Sequence, residues 1–328
     1  MINVAINGFG RIGRMIFRAC DFKAINVVGI NDLSSTENLA YLLKYDSAHK
    51  KTEMDIKHKK DLIIVNGKAI RVFNQRDPSL IPWGKLNVDV VVESTGMFRT
   101  REAILKHINA GAKKVLLSAP PKDNVKTIVM GVNDKDIKKS DILLSNASCT
   151  TNCLAPIAKI LEDNYGIKNA FMTTVHAYTA DQRLVDAPHD DFRRGRSAAA
   201  NIIPTSTGAT KSVAEVIPTL KGKMNGIALR VPVVTGSITD FVALLGKKVD
   251  KEELKKLFIK NAKGPMKGIL ELSEEKIVSS DIIDNSSSSI IDWEFCNVNG
   301  NLVKIVSWYD NEWGYSNRMI DIIKKWCR

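Results

Sequence analysis

Cys149 stands in the run Ser145-Asn146-Ala147-Ser148-Cys149-Thr150-Thr151-Asn152-Cys153, which follows an apolar segment and leads into Leu154-Ala155-Pro156-Ile157-Ala158. Ser148 suits an N-cap, so the pattern predicts Cys149 on the first turn of a helix. A thiol there feels the positive end of the helix dipole, which lowers its pKa and enriches the reactive thiolate. Such a nucleophile needs a base. His176 ends the run Met172-Thr173-Thr174-Val175, where a strand would deliver it to the edge of a sheet. His49, His58, His107 and His189 have more polar or less strand-like surroundings. Cys20, Cys153, Cys296 and Cys327 read as small buried hydrophobes. Five cysteines, an odd number, argue against a disulfide framework. No second Cys/His pair at ligand spacing accompanies Cys149 and Cys153, so no metal site is expected.

A second group of residues suits a phosphate-bearing ligand. Gly8-Phe9-Gly10-Arg11-Ile12-Gly13 follows a strand-like segment and opens a helical one. In that context Gly8 permits the tight turn, Gly10 lets a pyrophosphate approach the backbone, and Gly13 lets helix and strand pack closely. The helix N-terminus then offers free N–H groups to the phosphates. Asp32 lies at the end of the next strand-like run, where a carboxylate accepts from ribose hydroxyls and repels a 2′-phosphate. The motif predicts a dinucleotide site, with NAD favoured over NADP.

These residues need a scaffold, and the chain changes character halfway. The first part alternates apolar runs (4–6, 27–30, 88–92, 114–117, 127–130, 142–144) with helical stretches (11–20, 36–43, 103–110). That alternation implies a parallel sheet covered on both faces. Residues 61–73 interrupt it as an antiparallel hairpin about Asn66-Gly67. Later, residues 170–176, 226–234, 238–245, 290–298 and 302–308 read as long strands, with helices at 210–216 and 251–261. The expected fold is an α/β Rossmann-type dinucleotide-binding domain, residues 1–147, plus an α+β catalytic domain, residues 148–315, with a mixed, mainly antiparallel sheet. The last helix, within 316–328, is expected to pack back on the first domain.

The chain length, 328 residues, exceeds the roughly 250–300 at which one core stops growing, in keeping with two domains. No apolar run approaches the roughly 18 residues of a membrane span. The N-terminus shows no basic leader before a long apolar stretch, so the expected location is cytoplasmic. The formal charge of +12 is spread over separate lysine clusters without interleaved aromatics. That reads as a solvated surface that can also steer anionic substrates, with nucleic acid at most a secondary partner.

Residues 6–14, 145–153, Thr174-Val175-His176-Ala177-Tyr178-Thr179 and the run Trp308 to Tyr315 closely resemble the phosphorylating glyceraldehyde-3-phosphate dehydrogenases, in the same order along the chain. The resemblance implies that Cys149 attacks the aldehyde of glyceraldehyde 3-phosphate while His176 takes up the proton and steadies the oxyanion. Hydride then passes to NAD, and inorganic phosphate resolves the thioester to an acyl phosphate, reversibly. It also implies that Thr179, Asp181 and Arg230 hold the substrate's C3 phosphate, and that Ser148, Thr150, Arg194, Thr207 and Gly208 hold the attacking phosphate. For the cofactor it implies contacts by Arg11, Ile12, Asp32, Arg76, Thr95, Ser118 and Asn311, the last near the nicotinamide carboxamide. The segment from Tyr178 to Ala200 resembles a loop that lines a neighbouring subunit's cofactor site, which implies a homotetramer.

Two departures stand out. Ala187-Pro188 replaces a Leu-Pro common where NAD is preferred, so NAD preference with measurable NADP use is expected. Val233-Val234-Thr235 replaces a proline-containing stretch and is expected to alter loop shape more than chemistry. Two other functions compete. One is an erythrose-4-phosphate dehydrogenase, in which water resolves the thioester; the other is an RNA-binding protein using its dinucleotide site, which leaves the Cys149/His176 pair unexplained.

Overall fold

The computed structural model describes residues 1–328 and divides into two units. The first comprises residues 1–128, 134–147 and 316–328, and the second residues 129–133 and 148–315.

In the first unit, short β-branched runs form nine strands: β1 (Ile2–Asn7), β2 (Ile25–Asn31), β3 (Ile56–Lys59), β4 (Leu62–Val65), β5 (Lys68–Phe73), β6 (Val90–Glu93), β7 (Lys114–Leu117), β8 (Lys126–Thr127) and β9 (Leu143–Ser145). Their order in the sheet is β3-β4-β5-β2-β1-β6-β7-β9-β8. The run from β5 to β8 is parallel, as its continuous apolar strands require. Helices α1 (Arg11–Ala19), α2 (Thr36–Lys44) and α3 (Arg101–Asn109) connect strands in the crossover manner. β3 and β4 add an antiparallel edge. The 61–73 hairpin is present, but β3 was not evident in the sequence, because Ile-Lys-His-Lys offers a single apolar residue. One core cluster gathers Ala5, Trp83, Val91, Ile104 and Val115, all at most 1% exposed.

The second unit holds α4 (Cys149–Tyr165), α5 (Ala209–Val216), α6 (Lys251–Lys263), and strands β10 (Ile167–Ala177), β11 (Ile203–Ser206), β12 (Met224–Val231), β13 (Ser237–Leu245), β14 (Leu270–Ser273), β15 (Ser289–Asp292), β16 (Asn297–Asn299) and β17 (Leu302–Tyr309). The sheet order is β11-β12-β10-β13-β17-β15-β14, with β16 beside β17. Only β10/β12 and β14/β15 are parallel, so the sheet is mixed and mainly antiparallel. The strand read across 290–298 is in fact two, broken by a 3₁₀ turn at Trp293–Phe295. The turn buries Trp293 against Phe258 of α6, edge to face at 6.5 Å. On α4, Leu154, Ile157, Ala158 and Leu161 are fully buried, and burying each leucine or isoleucine contributes about 1.5–3 kcal/mol, so the helix is a rigid platform. Residues 129–133, read from the sequence as continuing the first domain, lie with the second unit. Val129, Met130 and Val132 pack into its core instead.

α7 (Trp313–Trp326) begins in the second unit and ends in the first. There Met319, Ile322, Ile323 and Trp326 are almost fully buried, Trp326 Nε1 donates to Asp141 O at 3.1 Å, and Lys114 Nζ lies 4.8 Å above the Trp326 ring. No helix is long and apolar enough to cross a membrane.

Candidate active site

The turn from β9 to α4 passes through Ala147, a fully buried residue in the left-handed region at φ 51°. That conformation costs an L residue about 1–2 kcal/mol. Ser148 follows in extended conformation (φ −121°), and its hydroxyl accepts from Thr151 N as the N-cap. Cys149 is therefore the first residue of α4. In β10 the two-residue alternation puts Ala170, Met172, Thr174 and His176 on the buried face, and His176 is 3% exposed. Its Nε2 lies 3.4 Å from Cys149 Sγ.

His176 Nδ1 lies 2.6 Å from Ala177 O; in the tautomer that donates to this carbonyl, the Nε2 lone pair faces the thiol. Arg230, opposite His176 in the β10/β12 register, donates from Nη1 to the same carbonyl at 3.1 Å, and its Nη1 lies 2.8 Å from Nδ1. Burial first, and then the Arg230 charge, push His176 down to about 3. The imidazole is thus neutral at physiological pH. The Cys149 thiol departs from the sequence expectation, because burial raises its pKa overall. The Arg230 charge, the Thr150 hydrogen bonds and the thiol's own backbone N–H oppose that rise without overcoming it. The first-turn N–H groups act in the direction read from the sequence, but burial outweighs them.

The Tyr309 hydroxyl, 1% exposed, bridges Thr150 Oγ1 at 2.9 Å and Thr174 Oγ1 at 2.8 Å, and its ring meets His176 edge-on at 5.9 Å. Tyr309 thereby ties α4, β10 and β17 together beneath the reacting pair. Sequence reasoning did not select it, since alternation marks Tyr309 only as inward-facing.

Around Arg230 the structure assembles a polar cluster. Arg230 Nη1 donates to Thr179 Oγ1 at 3.4 Å, Thr179 donates to Asp181, and Arg194 pairs with Asp181 and, at 3.4 Å, with Asp191. Burial alone would raise the Asp181 carboxyl, but the Thr179 hydrogen bond and the Arg194 and Arg230 charges hold it below its ordinary range. Arg194 is thus brought to Asp181, within the set matched to the C3 phosphate. Thr207 accepts from Ala209 N at 3.2 Å, and Gly208 caps α5 without a side chain, leaving other first-turn N–H groups for an anion.

Asn311, 5% exposed, accepts through Oδ1 from Ser237 Oγ at 2.9 Å, Gly236 N at 3.1 Å and Thr235 Oγ1 at 3.4 Å. Its amide donors therefore point elsewhere. Thr235 also donates to Asp310 Oδ1 at 3.1 Å. The Thr235 hydroxyl thereby ties this loop to the Asp310-Asn311 segment.

In the first unit, Gly8 turns at φ 89°, where a Cβ would stand 2.7 Å from Thr95 N, and a Cβ on Gly13 would strike Gly8 O at 2.2 Å. At Gly10 a Cβ would meet nothing within 4 Å, and Gly10 caps α1 without a side-chain bond. The turn is therefore closed behind and open in front, as a bound pyrophosphate requires. Arg11 pairs with Asp46, and Ile12 is half-buried. Asp32 accepts from Phe9 N at 2.8 Å and Ser34 N at 2.9 Å, which holds its carboxylate against the turn. Arg76 follows β5 and is exposed; Thr95 and Ser118 follow β6 and β7, half-buried. All three sit past the C-terminal ends of parallel strands, where ligands of such sheets bind. The donor set fits NAD.

The model of the glyceraldehyde 3-phosphate dehydrogenase NAD binding domain matches residues 2–101, and that of the C-terminal domain matches residues 148–311. Glyceraldehyde-3-phosphate dehydrogenase 2 of Streptomyces avermitilis is 53% identical over 325 residues, covering 98% of this chain and 97% of that protein. Glyceraldehyde-3-phosphate dehydrogenase of Thermotoga maritima is 53% identical over 328 residues, covering 99% and 98%. Glyceraldehyde-3-phosphate dehydrogenase 1 of Bacillus subtilis is 52% identical over 324 residues, covering 98% and 97%.

Proposed function

The chain belongs to the glyceraldehyde 3-phosphate dehydrogenase family, and on that premise we propose that it oxidises glyceraldehyde 3-phosphate with NAD and inorganic phosphate to 1,3-bisphosphoglycerate and NADH, as a reversible step of glycolysis and gluconeogenesis in the cytoplasm. The observation that carries the chemistry is the 3.4 Å approach of Cys149 Sγ to Nε2 of a buried, neutral His176.

Cys149 Sγ bonds to the aldehyde carbon as its proton passes to His176 Nε2, whose new N–H then donates to the developing oxyanion. NAD, when bound, supplies the hydride acceptor that turns the thiohemiacetal into a thioester. A phosphate oxygen attacks the thioester carbon, the C–S bond breaks, and the sulfur recovers a proton from His176. Thr179 and Arg230 hold the substrate's C3 phosphate, with Asp181 orienting Thr179 and Arg194. Ser148, Thr150, Thr207 and Gly208 hold the attacking phosphate through hydroxyls and the free N–H groups of the α5 N-terminus, with Arg194 supplying charge to both anions.

A homotetramer accompanies this reading. The outer face of the second sheet exposes Phe171 (67%), Ile227 (49%), Leu244 (38%) and Leu302 (43%), an apolar surface suited to other copies. NADH formation followed by absorbance tests the proposal. Omission of phosphate should leave one turnover per Cys149, and sustained phosphate-independent turnover would refute it in favour of hydrolysis.

A further inference from the structure

One fully buried ionisable pair takes no part in this chemistry. Glu93, the last residue of β6, and His107 of α3 are both 0% exposed, with His107 Nε2 3.0 Å from Glu93 Oε2. Trp83 Nε1 lies 3.0 Å from His107 Nδ1. An indole nitrogen can only donate, so Nδ1 is the acceptor and the imidazole hydrogen sits on Nε2, aimed at Glu93.

Four donors converge on the one carboxylate. Oε2 accepts from His107 and from Asn7 Nδ2 at 2.5 Å, while Oε1 accepts from Thr95 N at 2.9 Å and Thr95 Oγ1 at 2.5 Å. The chain continues sideways through the strand ends. Asn31 Nδ2 donates to Asn7 Oδ1 at 2.7 Å and to Gln75 O at 2.9 Å, and Gln75 N donates back to Asn31 Oδ1 at 2.8 Å. Asn31, Asn7 and Glu93 are the last residues of β2, β1 and β6, in register with one another. Asn31 stands just before Asp32 and holds Gln75, the neighbour of Arg76; Asn7 stands before the Gly8 turn, and Glu93 before Thr95. Gly8 leaves no slack, since even a methyl group there would meet Thr95 N.

We propose that Trp83, His107, Glu93, Asn7 and Asn31 form a buried polar relay that fixes the spacing of the three cofactor-binding loops, with Glu93 as the positioning residue for NAD affinity. The inference rests on the reading of this unit as the NAD site. The relay touches only the first unit, so it sets how tightly the dinucleotide binds and not how the aldehyde is held.

Glu93→Gln is the sharpest perturbation. An amide places N–H groups where two acceptors stood, so either Thr95 or the Asn7/His107 pair meets donor against donor. The equilibrium Kd for NAD, measured by titration calorimetry on the intact protein, is expected to rise about tenfold. The KM for glyceraldehyde 3-phosphate should stay within about twofold. Trp83→Phe, which retains a ring against Phe73 but drops the N–H that sets the His107 tautomer, should raise the NAD Kd about threefold. If Glu93→Gln does not fold, Trp83→Phe carries the test. A lowered Tm with unchanged NAD Kd makes the relay purely structural and overturns the proposal. If the unsubstituted protein binds no NAD, the reading of the site itself fails; if it binds NAD and the folded variants bind it equally well, only the relay fails.

Discussion

Replacing Arg230 by glutamine removes one positive charge while keeping a polar, uncharged side chain at that position. The guanidinium lies one imidazole width beyond the sulfur, since Sγ is 3.4 Å from Nε2 and Nη1 is 2.8 Å from Nδ1. At roughly 8 Å and an effective dielectric constant of about 20, a unit charge stabilises the thiolate by about 2 kcal/mol. That corresponds to about a 30-fold change in the ionisation equilibrium. Arg230→Gln should therefore raise the Cys149 thiol further above its already elevated value. Below that pKa the thiolate fraction, and with it the rate of alkylation by iodoacetamide, should fall about 30-fold at a given pH. His176 rises at the same time, from about 3 toward its ordinary 6.5, and stays neutral where the thiol titrates, so it does not mask the change. Iodoacetamide is uncharged, which separates this effect from loss of the substrate's phosphate anchor. Arg230→Lys, which keeps the charge, should recover most of the rate. If the Arg230→Gln rate–pH curve overlays that of the unsubstituted enzyme, the guanidinium does not tune the pair and the electrostatic argument is wrong.

Three other outcomes are expected. Because the folded state holds His176 at about 3, the unfolded chain binds one more proton between pH 6.5 and 3, so stability falls as pH drops through that window. His176→Asn should remove a decline of about 5 kcal/mol, read as a flatter dependence of the urea midpoint on pH. Tyr309→Phe deletes the bridge between Thr150 and Thr174 and should cost about 1–2 kcal/mol of stability, with a several-fold higher KM for inorganic phosphate in steady-state assays. Asp32, held against the glycine turn by Phe9 N, should favour NAD over NADP in kcat/KM while Ala187 permits measurable NADP turnover; a strong NADP preference contradicts this.

The features legible in the sequence were those that local rules control. Ser148 before Cys149 specified a capped helix start, the run Met172 to Val175 put His176 at the end of a strand, and Asn66-Gly67 marked a hairpin. What escaped depended on partners far away in the chain. β11 and β14 are four residues long and became strands by pairing with β12 and β15. The break at Trp293 follows from the space beside Phe258, and residues 129–133 cross over because Val129 and Val132 find a better apolar surface there. The Cys149 thiol illustrates the same limit in electrostatics. Its helix position was readable, but the burial that outweighs the dipole is contributed by the fold around it.

The course of α7 bears on the order in which the protein is made. The chain leaves the first unit at Ala147 and returns at Ser316. The groups that receive the returning helix, Asp21, Lys114, Asp134 and Asp141, emerge from the ribosome long before their partners Lys324, Lys325 and Trp326. At about 5–20 residues per second, the wait is on the order of ten seconds or more. Meanwhile the nascent sheet keeps an uncovered apolar flank on which Met319, Ile322 and Ile323 will later settle. The part synthesised first is thus the part completed last, and a fragment ending at residue 147 should behave as a sticky intermediate that a chaperone would recognise.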